Sequence, residues 1–448
     1  MATRLHKKFT RRDIIKSVGH ATLAAGVAPA VLIPGRAKAA QKTLKILQWN
    51  HFVPAFDEWF NKTYVKEWGE RNDTKVIVDN VGMTSLGGWA SAEIAARKGH
   101  DLCMFLRPPA TYEEHVIDHR EIYEECERRY GKPIDLATKS TFNPKTGKYY
   151  GFSDSYTPDP VNYRKDLWDD VGMFPDTWDD IRVGGRKIKR KHGIPIGIGI
   201  APELDTNMAL RSIMAAFGAS VQDADSNPML KTKETLEAIK FVKALYEETM
   251  TDEVFTWDAS SNNRQMLAGN GSLTLNAISI TRTGEKQQIP IVDHISLAKA
   301  AKGPVGRIGL HHLIDVYVIW DFAKNIEGAK QFLVDYVGHS RKVFQASGFY
   351  NFPCYPSTVP DLAQLIANDP NAKPTDKYGI FADVDDWMTN LGDPGHANAA
   401  IDEIFGSWHI SEMFATAARG RATPEEALDQ CAKLVAHTYE KWRAKGLV

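Results

Sequence analysis

The chain has 448 residues with 55 Lys and Arg against 56 Asp and Glu, and its first 39 residues hold eight of those basic side chains but a single acidic one. The remaining 409 residues carry a formal charge of −8, which argues against nucleic acid or an anionic membrane surface as a partner. A body of that length exceeds the roughly 250–300 residues at which single cores stop growing, so two lobes are expected.

At the start, Arg11 and Arg12 precede an apolar run over 17–33, and Ala37, Lys38 and Ala39 close it. Paired arginines, an apolar stretch and an Ala-x-Ala exit are the parts of a twin-arginine export signal. The run is shorter than the roughly 20 apolar residues a membrane span needs, and Gly19, His20, Gly26 and Pro29 interrupt it. Residues 1–39 are expected to be a leader and the rest a periplasmic body without stable membrane insertion. Further along, 44–49 alternates as a strand, 57–71 carries Trp59, Phe60, Tyr64 and Trp68 near helical spacing, 75–79 is a second strand, 91–98 a short helix and 101–105 a third strand. This alternation predicts an α/β fold. A turn cluster at 143–147 leads into an extended stretch over 149–163 that contains Pro158 and Pro160. Thr177 is placed to cap a helix whose first turn holds Asp179 and Asp180. Helical stripes follow at 235–247, 326–337 and 425–442, the last behind Thr423 and Pro424, with strands at 271–276 and 316–322.

Cys103, Cys126, Cys354 and Cys431 are an even set that an oxidising compartment would allow to pair, although Cys103, inside an apolar run, reads as a buried free thiol. No HExxH, P-loop, G-x-S-x-G or strand-linked GxGxxG occurs, and Gly197 with Gly199 is too sparse a pattern for a nucleotide. His311 and His312 are adjacent on a strand and point to opposite faces, so they cannot both ligate one ion; one of them is expected to face a cleft. No catalytic residue, metal or cofactor is therefore implied. Carboxylate pairs such as Asp169 and Asp170 leave a glycan hydrolase open.

Aromatic and amide residues recur where segments change character. Trp49, Asn50 and His51 follow the first strand, Arg107 the third, and Tyr156 lies in the Pro-rich stretch. Asp205 and Asn207 follow an apolar run, Asn276 ends a strand, Tyr350 and Asn351 follow a helix, and Trp408 sits in a late aromatic segment. Ligands of open α/β sheets bind outside the carboxyl ends of strands. A sugar needs flat apolar faces for its C–H surfaces and planar polar groups for its hydroxyls, which these residue types supply.

The order of the segments resembles the extracellular solute-binding proteins of ABC importers, the group that includes maltose-binding protein. The stretch from Lys148 to Phe152 through Val161 to Leu167 is similar to that group's "GK-x-Y-G … Y-Y-N-K-D-L". Phe174 to Asp180 is similar to "P-x-T-W-D-E", Met266 to Asn276 to "F-x-x-G-K-A-A-M-x-x-N-G", and Gly420 to Leu428 to "G-x-x-T-x-E-E-A-L". The resemblance implies two α/β lobes with a hinge and an interlobe cleft: 40–157 and 283–342 as lobe 1, 158–282 and 343–448 as lobe 2. Its crossings would fall at 156–162, after Asn276 and near 343–350. It implies a monomer that binds a carbohydrate or polyol and delivers it to permease subunits, with ligand contacts from Trp49, Asn50, His51, Arg107, Tyr156, Asp205, Asn207, Asn276, His311, Tyr350, Asn351 and Trp408. The same fold with a sugar acid, another organic anion or a polyamine as ligand stays open, as does an exported enzyme.

Overall fold

The structure, a computed structural model, describes residues 42–448, so the expected leader lies outside the described residues. The alternating run that opens this part forms β1 (Lys42–Trp49), in which Leu44, Ile46 and Leu47 are fully buried. It pairs in parallel with β2 (Thr74–Val81) and β3 (Leu102–Phe105). The turn cluster closes a small hairpin of β4 (Phe142–Asn143) and β5 (Lys148–Tyr149), with Gly147 in the left-handed region at φ 69°. The Pro-rich stretch splits into β6 (Phe152–Pro158) and β7 (Val161–Arg164). Downstream come β8 (Leu273–Leu275), β9 (Ile295–Ala298), β10 (Gly309–Ile319), β11 (Phe352–Pro353) and β12 (Met388–Thr389). One sheet has the order β11-β6-β10-β3-β1-β2 with β12 beside β10, and a second has the order β8-β7-β9.

The aromatic stretch at 57–71 is helical but not uniform: α-helix Pro54–Trp59 widens into a π turn, Phe60–Tyr64, before α-helix Val65–Arg71. Phe60, Tyr64 and Trp68 face the helix Ile326–Val337, with ring centroids 5.7 Å from Tyr336 for Phe60 and 5.3 and 5.2 Å from Phe332 for Tyr64 and Trp68. Burying one such ring contributes about 1.5–3 kcal/mol. Thr177 and Thr423 both complete capping boxes, with Asp180 and Glu426. All four cysteines are buried free thiols, so the pairing allowed by their number does not occur.

Two large apolar cores divide the described chain. Residues from Leu44 to Tyr156 and from Leu313 to Trp387 build the first; residues from Val161 to Leu275 and from Leu391 to Leu447 build the second. The chain passes between them at Asp159 and Pro160, and again after Asn276, where Ala277 and Ile278 enter the first core. Two expected boundaries move. β9 pairs with β7 in the second sheet, so the final return to the first sheet comes at β10 rather than at 283. The crossing expected near 343–350 is a helix, Ser340–Ala346, followed by β11. Phe344 lies 5.2 Å from Phe352 and Phe352 5.3 Å from Phe381, ring to ring, which holds 343–387 in the first core. That passage falls instead after β12. Among the described residues no helix is long and apolar enough to cross a membrane.

His119 links β5 to β10. Its ring Nδ1 donates to the Tyr149 carbonyl at 3.0 Å, and its Nε2 accepts from the Ile319 N–H at 2.9 Å, which fixes a neutral tautomer. Burial pushes its pKa down to about 4. The unfolded chain therefore binds the proton more readily between pH 6.5 and 4, and stability falls as pH falls through that window. His119 alone should remove about 2 kcal/mol between pH 8 and pH 5. Urea unfolding of wild type and His119→Asn at both pH values checks this: the variant should lose less on acidification, and an equal or larger loss would contradict it.

Candidate functional site

A cleft of about 500 Å³ lies between the two cores. From the first lobe it is lined by Met83, Thr84, Leu86 and Gly87 after β2, and by Phe105, Leu106, Arg107, Pro109 and Tyr112 at and after β3. These segments follow the carboxyl ends of parallel strands, where open α/β sheets place ligands. From the second lobe come Pro202, Glu203, Leu204, Trp257, Asp258, Ala259, Asp402 and Trp408. The volume suits a small molecule, and Trp257, Trp408 and Tyr112 give it aromatic walls.

Local chemistry explains these positions. Glu203 caps the helix Leu204–Ala216, accepting from the Asp205 and Thr206 N–H groups at 2.7 and 2.5 Å. Burial, and then the Asp205 charge, raise its pKa to about 8. Behind it, Gly199 leaves room that a side chain would deny: a Cβ there would lie 2.3 Å from Thr206 Oγ1 and 2.8 Å from Glu203 Oε1. A Cβ at Gly197 would lie 2.4 Å from the Trp257 ring. The two glycines that read weakly as a nucleotide motif are thus what seats Glu203 and Trp257. Trp408 joins the helices Ala399–Gly406 and His409–Ala418 in the left-handed conformation, φ 62°. Arg107 spans the lobes: its Nε donates to Asp402 Oδ1 at 3.0 Å while its guanidinium lies 5.3 Å from the Phe405 ring. Asp402 also accepts from the Thr111 N–H and hydroxyl at 3.0 and 2.6 Å.

Of the residues expected from sequence, Arg107 and Trp408 line this cleft. Asp205 sits directly behind it in a buried ion cluster: His312 Nδ1 is 3.1 Å from Asp159 Oδ1 and its Nε2 is 3.6 Å from Asp205 Oδ1, and Asn262 donates to Asp205 Oδ2 at 2.7 Å. Burial presses the His312 pKa down, but the charges of Asp205 and Asp159 outweigh it and hold it above its ordinary value. His312, not His311, makes this link. His311 points to the opposite face, buried without a polar partner, and burial drives its pKa down to about 3.

The others are committed elsewhere. His51 accepts from the Val53 N–H at 2.9 Å and donates through Nε2 to Asn351 Oδ1 at 2.8 Å, while Asn351 donates to Asp315 Oδ2 at 2.8 Å. Trp49 and Tyr350 are buried around His51, with ring centroids 5.0 and 5.3 Å away. Asn50 is exposed, its N–H bonded to the Val81 carbonyl at 2.8 Å. Tyr156 donates to Asp385 at 2.8 Å, Asn207 to the Phe405 carbonyl at 2.8 Å and Asn276 to Asn263 Oδ1 at 2.5 Å. Asn207 is on the first turn of a helix rather than in a loop. Apart from Asn50, these side chains are buried and their polar groups are bonded within the protein or packed against neighbouring rings. Sequence reasoning missed Tyr112, Glu203, Asp258 and Asp402. No local pattern marks these residues, because what brings them together is the meeting of segments from both lobes.

Two α/β lobes, a chain that passes repeatedly between them and a cleft lined from both sides define a hinged binding protein. Residues 49–337 match the bacterial extracellular solute-binding protein family, and the chain belongs to that family. It is similar to the solved structure of an ABC transporter solute-binding protein from Thermotoga lettingae bound with α-D-tagatose, at 19% identity and a TM-score of 0.73 over 89% of this chain and 99% of that one. The maltose-bound T. maritima MalE3 is 17% identical with a TM-score of 0.71, over 88% of this chain and 98% of that one. A solute-binding protein from Agrobacterium radiobacter in complex with ribitol is 16% identical with a TM-score of 0.70, over 88% and 98%. A binding protein of Brucella abortus is 25% identical over 187 residues, 41% of this chain, and the match spans 45% of that curated relative.

Proposed function

We propose that this chain is the periplasmic substrate-binding component of an ABC importer, exported by its twin-arginine leader, which captures a carbohydrate or polyol between its lobes and hands it to permease subunits. It works as a monomer and performs no covalent chemistry. The observation that carries this reading is the interlobe cleft, walled by Trp257, Trp408 and Tyr112 and edged by Arg107, Glu203, Asp258 and Asp402. Ring faces suit sugar C–H surfaces, and carboxylates accept from hydroxyls. The tagatose, maltose and ribitol held by similarly folded proteins support the same class. Contact with both lobes is what allows a ligand to favour the closed form, since a ligand shifts such an equilibrium only by its preference for one state.

The charge of the cleft favours one variant of the reading. Burial keeps Glu203 protonated at neutral pH, and Asp402 and Asp258 are paired with Arg107 and Arg264. A neutral sugar or polyol fits this balance better than a sugar acid or an amino sugar. Thermal melting with neutral sugars, polyols, amino sugars and uronic acids tests both. A ligand at 100 times its Kd should add about 2.7 kcal/mol. A panel without a single stabilising sugar or polyol would sink the carbohydrate reading, and uronic acids or amino sugars as the best ligands would sink the charge argument.

A further inference from the structure

Behind the cleft, the helix Leu86–Ala96 that begins with cleft-lining Leu86 and Gly87 carries a buried carboxylate, Glu93, on its inner side. Glu93 meets His100, in the loop before β3, and Cys103, on β3 itself. One ligand-type atom from each of the three lies within 4.8 Å of the others. The His100 and Glu93 side chains are 6% and 7% exposed, and Cys103 is fully buried. His100 Nδ1 contacts Glu93 Oε1, the Cys103 thiol points at Glu93 Oε2 from 3.8 Å, and His100 Nε2 is 2.8 Å from Asp79 Oδ2 on β2. The Trp320 indole N–H and the His100 backbone N–H steady Glu93 Oε2, each at 3.1 Å.

A simple ion pair would account for Glu93 and His100. It gives no reason for a thiol to be the third group on the same spot, nor for a second carboxylate on the far ring nitrogen. Zinc sites use both: Cys, His and carboxylate donors converging from separate elements, and an outer carboxylate that receives the other imidazole N–H and so fixes the ring with its remaining nitrogen toward the ion. The backbone makes space for this. A Cβ at Gly99 would sit 2.1 Å from Glu93 Cδ, so only glycine lets the carboxylate lie here. Thiolate, imidazole and carboxylate together select a borderline-soft divalent ion over Mg²⁺ or Ca²⁺.

We propose that Glu93, His100 and Cys103 form a buried Zn²⁺ site in the first lobe, with Asp79 as the positioning carboxylate on His100. Binding replaces the thiol proton and the proton shared by His100 and Glu93, both released to solvent, so affinity rises with pH. The ion ties the helix to β3 through the residues that precede the cleft-lining segment after that strand, and it is separate from the sugar-contacting walls.

The test uses the full exported chain, stripped with chelator and reloaded with Zn²⁺ or Co²⁺. One equivalent of zinc per chain should survive desalting, and the cobalt form should show a thiolate-to-metal charge-transfer band that Cys103→Ser lacks. Asp79, at 59% side-chain exposure, can be changed without disturbing the core. Asp79→Asn should weaken zinc binding about 10–100-fold. Absence of stoichiometric zinc, a cobalt spectrum without the thiolate band, or unchanged zinc affinity in Asp79→Asn would each overturn the site. None of these readouts depends on whether a sugar binds.

Discussion

Replacing His312 by leucine should cost about 3–5 kcal/mol of folding stability at neutral pH, because it leaves two buried carboxylates facing each other without their cation. The Asp159 and His312 side chains are each 2% exposed and that of Asp205 9%, so water cannot take over the lost partner. The pH dependence is specific. With its pKa raised in the fold, His312 contributes stability that is fully present below about pH 6.5 and is lost as pH rises through the folded value. Burial raises the Asp205 pKa, and His312 is what opposes that rise. Removing His312 lifts Asp205 further, so acidification helps both forms: the wild type gains the His312 charge, and the variant gains by protonating Asp205. Urea unfolding at pH 7 therefore makes the test, and a loss well below about 3 kcal/mol would mean that the cluster is not held by charge. The double variant His312→Leu with Asp159→Leu should recover part of the loss, as buried ion groups replaced together by apolar ones often do.

That cluster also shows why some of the site was legible in the sequence and some was not. Period-2 and helical apolar patterns located β1, β2, β3 and the helix Ile326–Val337, and Thr177 and Thr423 announced their helix starts, because these depend on neighbours within a turn or two. The ordered short motifs carried the two-lobed class. What local pattern leaves open are decisions set by distant partners. His311 and His312 are equivalent by local pattern; Asp159, 153 residues away from His312, decides which one links the crossing to the second lobe. Trp49, His51, Tyr350 and Asn351 have the residue types of a sugar site, yet they pack against each other beneath the cleft. The amphipathic pattern of 343–387 fits either core by itself, and its packing in the first rests on Phe352 meeting Phe344 and Phe381. Gly197 and Gly199 were visible signals whose meaning, space for Trp257 and Glu203, required the fold.

The cleft tryptophans should separate binding from stability. Trp408→Gly is expected to weaken the sugar that gives the largest thermal shift by about 10–100-fold, or about 1.4–2.8 kcal/mol. Its effect on the unliganded fold should be small, because two terms oppose. Lost packing destabilises, but Trp408 holds a left-handed backbone at φ 62° that costs an L-residue roughly 1–2 kcal/mol and a glycine almost nothing. A strained residue kept at the mouth of a cleft, where glycine would serve the turn better, is where backbone strain and function tend to coincide. Trp257→Ala removes the other wall and should cost a similar factor, while also opening the space over Gly197 and Gly199. Together the two changes should lower affinity about 10³-fold, close to 4 kcal/mol, if the rings contact the ligand from separate positions. Calorimetric titration of both single variants and the pair measures this, with urea unfolding as the control. Trp408→Phe should retain most of the affinity, since a flat ring remains. Unaltered affinity in Trp408→Gly, beside an intact fold, would place the ligand away from this wall and remove the cleft's claim to be the binding site.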